Sequence, residues 1–169
     1  MKNIILIGFM GSGKTTIGRL ISKKTGMKYI DMDRMIVKKA GMPVKKIFAV
    51  RGEEAFRDME SEAVIEAAMK KNSVIATGGG VIKRPGNIKH LKKAGFVVFL
   101  RASFETIVRR IKDRDDRPLF DMNNQAGVKK LFRSRLPVYK KSADYTVDTD
   151  KSSAVKIAAL IIKKAGEEA

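Results

Sequence analysis

Apolar residues along this chain follow two rhythms. Short unbroken runs occur at Ile4-Ile5-Leu6-Ile7, Val74-Ile75-Ala76 and Phe96-Val97-Val98-Phe99-Leu100. Such runs mark strands buried on both faces of a parallel sheet. Weaker strands are expected from Met27 to Ile30 and around Tyr145-Thr146-Val147. Between them apolar residues recur at helical spacing, as in Ile17, Leu20 and Ile21, or Met35, Ile36 and Ala40. A short amphipathic piece, Val44 to Val50, is set off by Gly52 from a long helix, Glu53 to Lys71. Further helices are expected from Pro85 to Gly95, from about Ser103 to Lys112, from about Gln125 to Lys141 and from about Ser152 onward. Residues 113–124 are polar, carry Pro118 and show little periodicity. Strands alternating with helices predict a three-layer α/β domain, a parallel sheet with helices on both faces. In such sheets ligands gather at the carboxyl ends of the strands. The chain's 169 residues, 44% of them hydrophobic, suit a single domain over 1–169 with a proper core.

The first strand end is the most informative. The run Ile4 to Ile7 breaks into Gly8-Phe9-Met10-Gly11-Ser12-Gly13-Lys14-Thr15-Thr16, and a helical pattern begins at once. This is G-x-x-x-x-G-K-[ST] in the strand–loop–helix setting that a phosphate-binding P-loop requires. Backbone N–H groups of Gly11, Ser12, Gly13 and the residues after them would converge on phosphate, helped by the positive helix N-terminus. Lys14 would reach the β- and γ-phosphates of a nucleoside triphosphate, and the Thr15 hydroxyl would bind Mg²⁺. A dinucleotide fingerprint is the competing reading of Gly11-Ser12-Gly13, but Thr16 stands where its third glycine belongs.

A P-loop enzyme needs a second handle on the metal, usually an acid at the end of another strand. The strand ending at Leu100 continues into Arg101, and the one ending at Ala76 into Thr77-Gly78-Gly79-Gly80. Only Tyr29-Ile30-Asp31-Met32-Asp33 leads into carboxylates near the P-loop. In extended chain Asp31 and Asp33 would share a face. One could serve the metal and the other orient or deprotonate an acceptor hydroxyl; alternatively, Asp33 caps the next helix. The glycines at 78–80 favour close approach of backbone to substrate. Arg57, Arg117 and Arg135 are candidates for bidentate grip on a carboxylate or phosphate, with Arg117 in a segment suited to a lid. Spacing alone does not choose among them.

Composition narrows the class further. The chain has no cysteine, which excludes disulfides and thiolate metal sites. No apolar run approaches the roughly 18 residues of a membrane span, so a cytoplasmic protein without membrane partners is expected. The charge of +18 invites a nucleic-acid reading, yet aromatics are 7% and Trp is absent, so no stacking platform is visible. No specific nucleic-acid partner is expected. Pairs such as Lys23-Lys24, Lys38-Lys39, Lys45-Lys46, Lys70-Lys71 and Lys92-Lys93 are expected at helix ends, complementing the helix dipole.

Taken together, Gly8 to Thr16, Asp31-Met32-Asp33, Ile47-Phe48 with Gly52-Glu53 and Phe56-Arg57, Thr77 to Gly80, Arg117-Pro118-Leu119 and Arg135-Leu136-Pro137-Val138-Tyr139 resemble a shikimate kinase from end to end. The resemblance implies a nucleoside monophosphate kinase-like fold with a five-stranded parallel sheet in the order 2-3-1-4-5. It implies a lid at about 113–124 and a substrate-binding region at about 32–61. The activity implied is ATP-dependent phosphorylation of the 3-hydroxyl of shikimate in aromatic amino-acid biosynthesis, by a monomer. Carried over by position, Asp33 meets the shikimate hydroxyls, Arg57 and Arg135 hold its carboxylate, Gly79 offers its N–H to the ring, and Phe48 and Phe56 wall the pocket. Thr15, with Asp31 through water, holds Mg²⁺; Arg117 reaches the phosphates and Arg110 lies beside adenine. The chain departs from the pattern at Asp150-Lys151-Ser152, where some relatives place an Arg near adenine, and in its charged lid, Asp113-Arg114-Asp115-Asp116-Arg117. Kinases of other small polyol acids or of nucleoside monophosphates are the nearest rival class, and a nucleic-acid-binding P-loop protein the more distant one.

Overall fold

The computed structural model describes residues 2–112 and 124–167. In chain order the elements are β1 (Asn3–Ile7), α1 (Lys14–Thr25), β2 (Lys28–Asp31), α2 (Met32–Ala40), α3 (Val44–Ala68) and β3 (Ser73–Ala76). A 3₁₀ turn (Val81–Lys83) leads to α4 (Pro85–Ala94), β4 (Gly95–Arg101), α5 (Phe104–Ile111), α6 (Gln125–Ser142), β5 (Tyr145–Asp148) and α7 (Ala154–Glu167). The five strands form one sheet in the order β2-β3-β1-β4-β5, and every pairing is parallel. This is the strand order that the resemblance implied.

Alternation along the central strands divides the core in two. Ile5 and Ile7 of β1 and Val97 and Phe99 of β4 face one apolar cluster, which also holds residues of α2, α3, α4, α5 and α6. Ile4 and Leu6, with Phe96, Val98 and Leu100, face the other, closed by α1 and α7. Both faces of the inner strands are therefore dry, which is why these strands read as continuous apolar runs rather than as alternating ones.

The chain leaves β1 for the edge strand β2, returns to β3, then crosses to β4 on the other side. A crevice opens where the direction reverses, at the carboxyl end of β1. The Thr77 N–H and hydroxyl both donate to the Leu6 carbonyl, each at 3.1 Å, and hold the ends of β3 and β1 together there.

Three expectations need adjustment. α2 begins at Met32, so Asp31 and Asp33 do not share one extended strand; Asp33 lies in the first helical turn. Asp31, not Asp33, is the cap: its Oδ1 accepts from the Arg34 N–H at 3.2 Å. The two helical pieces around Gly52 run on as α3, but Gly52 at φ 79°, ψ 174° breaks the helical path where the break was expected. Of the lysine pairs, Lys23-Lys24, Lys38-Lys39 and Lys92-Lys93 occupy last turns. Lys45-Lys46 instead open α3, at the end the dipole disfavours for cations, and α3 has no basic residue in its last turn. The lid segment and Arg117 lie outside the described residues, except Asn124, which caps α6 by accepting from the Gly127 N–H at 3.0 Å. No helix among the described residues is long and apolar enough to cross a membrane.

Candidate functional site

A cavity of about 640 Å³ opens at the carboxyl ends of the strands, within the size range of small-molecule sites. Gly11, Ser12, Gly13, Lys14, Thr15, Thr16, Asp31, Asp33, Phe48, Phe56, Arg57, Gly79, Arg110 and Arg135 all line it. Every described residue given a binding or catalytic role from the sequence is thus gathered in one place.

The P-loop forms its floor. Gly13, the residue before α1, sits at φ 101°, where a side chain would be strained. That conformation turns the chain from loop to helix and exposes the first N–H groups of α1 to the cavity. The buried Lys14 folds back, its Nζ donating to the Gly8 and Phe9 carbonyls at 2.6 and 2.9 Å. The loop thereby holds its own cation in place ahead of an anionic ligand. Arg110 of α5 closes one side: Nη1 donates to the Gly11 and Ser12 carbonyls and to Thr149 Oγ1, and Nη2 to the Thr149 carbonyl at 2.7 Å. It staples the P-loop to the segment after β5. In that segment Ser152 lines the cavity, while both Asp150 carboxylate oxygens accept from the Ser103 N–H. Burial works against ionisation of Asp150, but the Ser103 N–H and hydroxyl, the Thr106 hydroxyl and the Arg110 charge together prevail, and its carboxyl lies below the ordinary range.

The opposite wall is a buried charge network. Arg57, 3% exposed, and Arg135, 6% exposed, reach in from α3 and α6. Arg57 Nη1 donates to Glu60 Oε2 at 2.7 Å, and its Nε and Nη2 donate to Glu53 Oε1. Its guanidinium lies 5.2 Å from the Phe56 ring centroid and 5.9 Å from that of Phe48. Those two rings are themselves 4.6 Å apart, so the expected aromatic wall is also the platform that carries the arginine. Arg135 Nη1 donates to the Gly79 carbonyl at 3.2 Å. The Tyr139 hydroxyl, one turn on, donates to the same carbonyl. Two donors from α6 therefore fix the Gly79 peptide.

Glu60 escaped the sequence reading. It is 1% exposed, and its Oε1 has no hydrogen-bond partner among the described residues. A Cβ placed on Gly78 would lie 2.9 Å from that oxygen and 2.9 Å from Asp33 Oδ1. Two carboxylates thus converge on one point that Gly78 leaves open. Burial pushes the Glu60 carboxyl up, and Asp33 adds to the rise, against Arg57 and Arg135, which pull it down. One glycine of the triplet also serves a purpose the sequence did not suggest. At Gly80 a side chain would collide with the Arg57 guanidinium, so the missing side chain houses an arginine rather than substrate. Gly80→Ala is expected to displace Arg57 and cost about 1–3 kcal/mol of stability, as overpacking does. A denaturant melt would measure it; an unchanged midpoint would mean that the arginine moves aside freely.

Thr15 and Asp31, the residues expected to hold the metal, line the cavity together. Tyr29 donates to Asp31 Oδ2 at 3.2 Å. Burial first and then the Asp31 charge push the phenol up to about 12, so it remains a donor. No group of three or more His, Cys, Asp or Glu suited to a metal occurs among the described residues.

Residues 10–165 match the family model described as shikimate kinase. A shikimate kinase of Thermodesulfovibrio yellowstonii is 46% identical over 97% of this chain and 95% of its own length. One of Caldanaerobacter subterraneus subsp. tengcongensis is 43% identical over 96% and 95%. Among solved structures, a shikimate kinase from Acinetobacter baumannii in complex with shikimate superposes with a TM-score of 0.94 at 34% identity, covering 99% of this chain and 94% of that one.

Proposed function

This chain belongs to the shikimate kinase family, and from that premise we propose how its residues divide the work of phosphoryl transfer from ATP to the 3-hydroxyl of shikimate. The reaction yields shikimate 3-phosphate, a step of aromatic amino-acid biosynthesis. One observation supports the division most strongly: a phosphate cradle and a paired-arginine pocket line the same cavity, with Asp33 among the lining residues.

Gly11, Ser12, Gly13, Lys14, Thr15 and Thr16 cradle the phosphates through backbone N–H groups and the α1 terminus. Lys14 turns its ammonium from the Gly8 and Phe9 carbonyls to the β- and γ-phosphates, exchanging neutral acceptors for anionic ones. Arg110 flanks adenine. Arg57 and Arg135 hold the substrate carboxylate, Phe48 and Phe56 wall its ring, and the Gly79 N–H meets the ring. Asp33 aligns the attacking hydroxyl and accepts its proton, and Glu60 Oε1 takes a hydrogen bond from a neighbouring ring hydroxyl. Arg117 is assigned to the phosphates, on a lid at about 113–124 that complements a substrate-binding region at about 32–61. Phosphoryl transfer demands positioning and charge stabilisation more than covalent help, and this division supplies both.

The donors at the metal end fit Mg²⁺. One hydroxyl and one carboxylate are too few for an all-protein cage, and they suit a hard cation that keeps most of its waters and shares phosphate oxygens. Thr15 would hold it directly and Asp31 through water. The chemistry that Mg²⁺ supplies when bound is neutralisation of phosphate charge. The protein is proposed to act as a monomer; specific activity that stays constant on dilution would support this, and activity that falls would contradict it.

A coupled ADP-release assay with shikimate, gluconate and nucleoside monophosphates as acceptors tests the function. Shikimate-dependent turnover is expected, and turnover only with another acceptor would overturn the assignment.

A further inference from the structure

The family resemblance draws on Asp31-Met32-Asp33 and not on Tyr29, yet Tyr29 is hydrogen-bonded to Asp31, one of the residues assigned to the metal. It stands two residues before Asp31 on β2, so the two side chains share a face of the strand. The phenol donates to Asp31 Oδ2 at 3.2 Å, while Oδ1 of the same carboxylate accepts from the Arg34 N–H at 3.2 Å. With a donor on each oxygen, the carboxylate plane is set jointly by β2 and the first turn of α2. Thr15 and Asp31 line the same cavity. A separate feature of α1 makes room for this arrangement. A Cβ on Gly18, about one turn beyond Thr15, would fall 2.7 Å from Tyr29 Cε2. The Arg19 guanidinium lies 5.8 Å from the ring centroid. The ring therefore lies against α1 with its hydroxyl directed to the metal end.

We propose that Tyr29 is a positioning residue for the nucleotide-bound metal, its hydroxyl fixing the orientation of the Asp31 carboxylate. The inference rests on the assignment of Thr15 and Asp31 to Mg²⁺. Partners that orient a metal's ligands commonly change metal affinity by about 10–100-fold when removed. Because Asp31 acts through water, the lower end applies here. Tyr29→Phe keeps the ring against Gly18 and removes only the hydroxyl.

The test measures free Mg²⁺ for half-maximal rate, and calorimetric affinity for a non-hydrolysable ATP analogue with Mg²⁺ and with EDTA. Tyr29→Phe is expected to raise the Mg²⁺ requirement about tenfold and to weaken analogue binding with Mg²⁺ while leaving binding in EDTA at the wild-type value. Equal weakening with and without Mg²⁺ would reduce Tyr29 to packing and overturn the inference. Asp31→Asn is measured alongside. A raised Mg²⁺ requirement in Asp31→Asn with none in Tyr29→Phe leaves the metal assignment standing and removes Tyr29 from it. No change in Asp31→Asn removes the metal assignment itself, and the inference with it.

Discussion

Replacement of Asp33 by Asn is expected to lower kcat by about 10²–10⁴-fold, the range typical of a positioned general base, while ATP still binds. Asn keeps the size of the side chain and loses the charge that attracts the proton of the attacking hydroxyl. Asp33 lies in the first turn of α2, across the point opened by Gly78 from Glu60. The P-loop belongs to a different element, so its cradle should survive the substitution. Nucleotide affinity by calorimetry should therefore stay near wild type while steady-state turnover collapses. Full activity in Asp33→Asn would end the assignment. A tenfold loss would make Asp33 an orienting acceptor rather than a base.

Neighbouring Asp31 is similar in sequence context and different in structural setting because of where α2 starts. Read along the chain, the two acids are equivalent positions of one strand. The helix begins between them, turning Asp31 into a cap whose two oxygens are both engaged and rotating Asp33 into the cavity. Such a boundary, shifted by one or two residues, is what propensity resolves least well. The P-loop was legible because its chemistry is local: glycines, lysine and hydroxyl are contiguous, and the strand before them is an unbroken apolar run. The layered α/β class was legible for the same reason. Strand order was not, since periodicity says which residues face the core but not which strand lies beside which; it came from the family resemblance. Glu60 was missed because a glutamate on a long helix reads as solvated surface. Its signal was its position three residues after Arg57, on the same helical face. The role of Gly80 could not be read at all, because the atom filling its space comes from a helix distant in sequence.

Arg57→Ala is expected to do more damage than loss of a substrate contact alone. The pair it forms with Glu60 is buried on both sides, at 4% and 1% side-chain exposure. Breaking such a pair by removing one partner costs about 3–5 kcal/mol, because the other charge is left without compensation. Glu60 answers by holding its proton more firmly: burial already raises its carboxyl, and Arg57 is the largest influence opposing that rise. Its folded-state pKa then stands further above its unfolded one. The variant's deficit relative to wild type should therefore be smallest in acid, where Glu60 is protonated in both states. It should widen as pH rises and Glu60 would ionise. The KM for shikimate should rise as well, by the 2–5 kcal/mol or so of a desolvated carboxylate contact. Arg135→Ala separates the two effects. Among the described residues its guanidinium forms no ion pair comparable to that of Arg57 with Glu60; it donates to the neutral Gly79 carbonyl, which Tyr139 also serves. That variant should raise KM with a much smaller loss of stability. In Glu60→Gln/Arg57→Ala the buried charge is gone, so part of the stability lost in Arg57→Ala should return while KM stays high. Denaturant melts across pH and steady-state kinetics on the three variants measure both quantities. Equal stability losses in Arg57→Ala and Arg135→Ala, with no recovery in the double variant, would mean that the ion pair is not what holds this wall of the cavity in place.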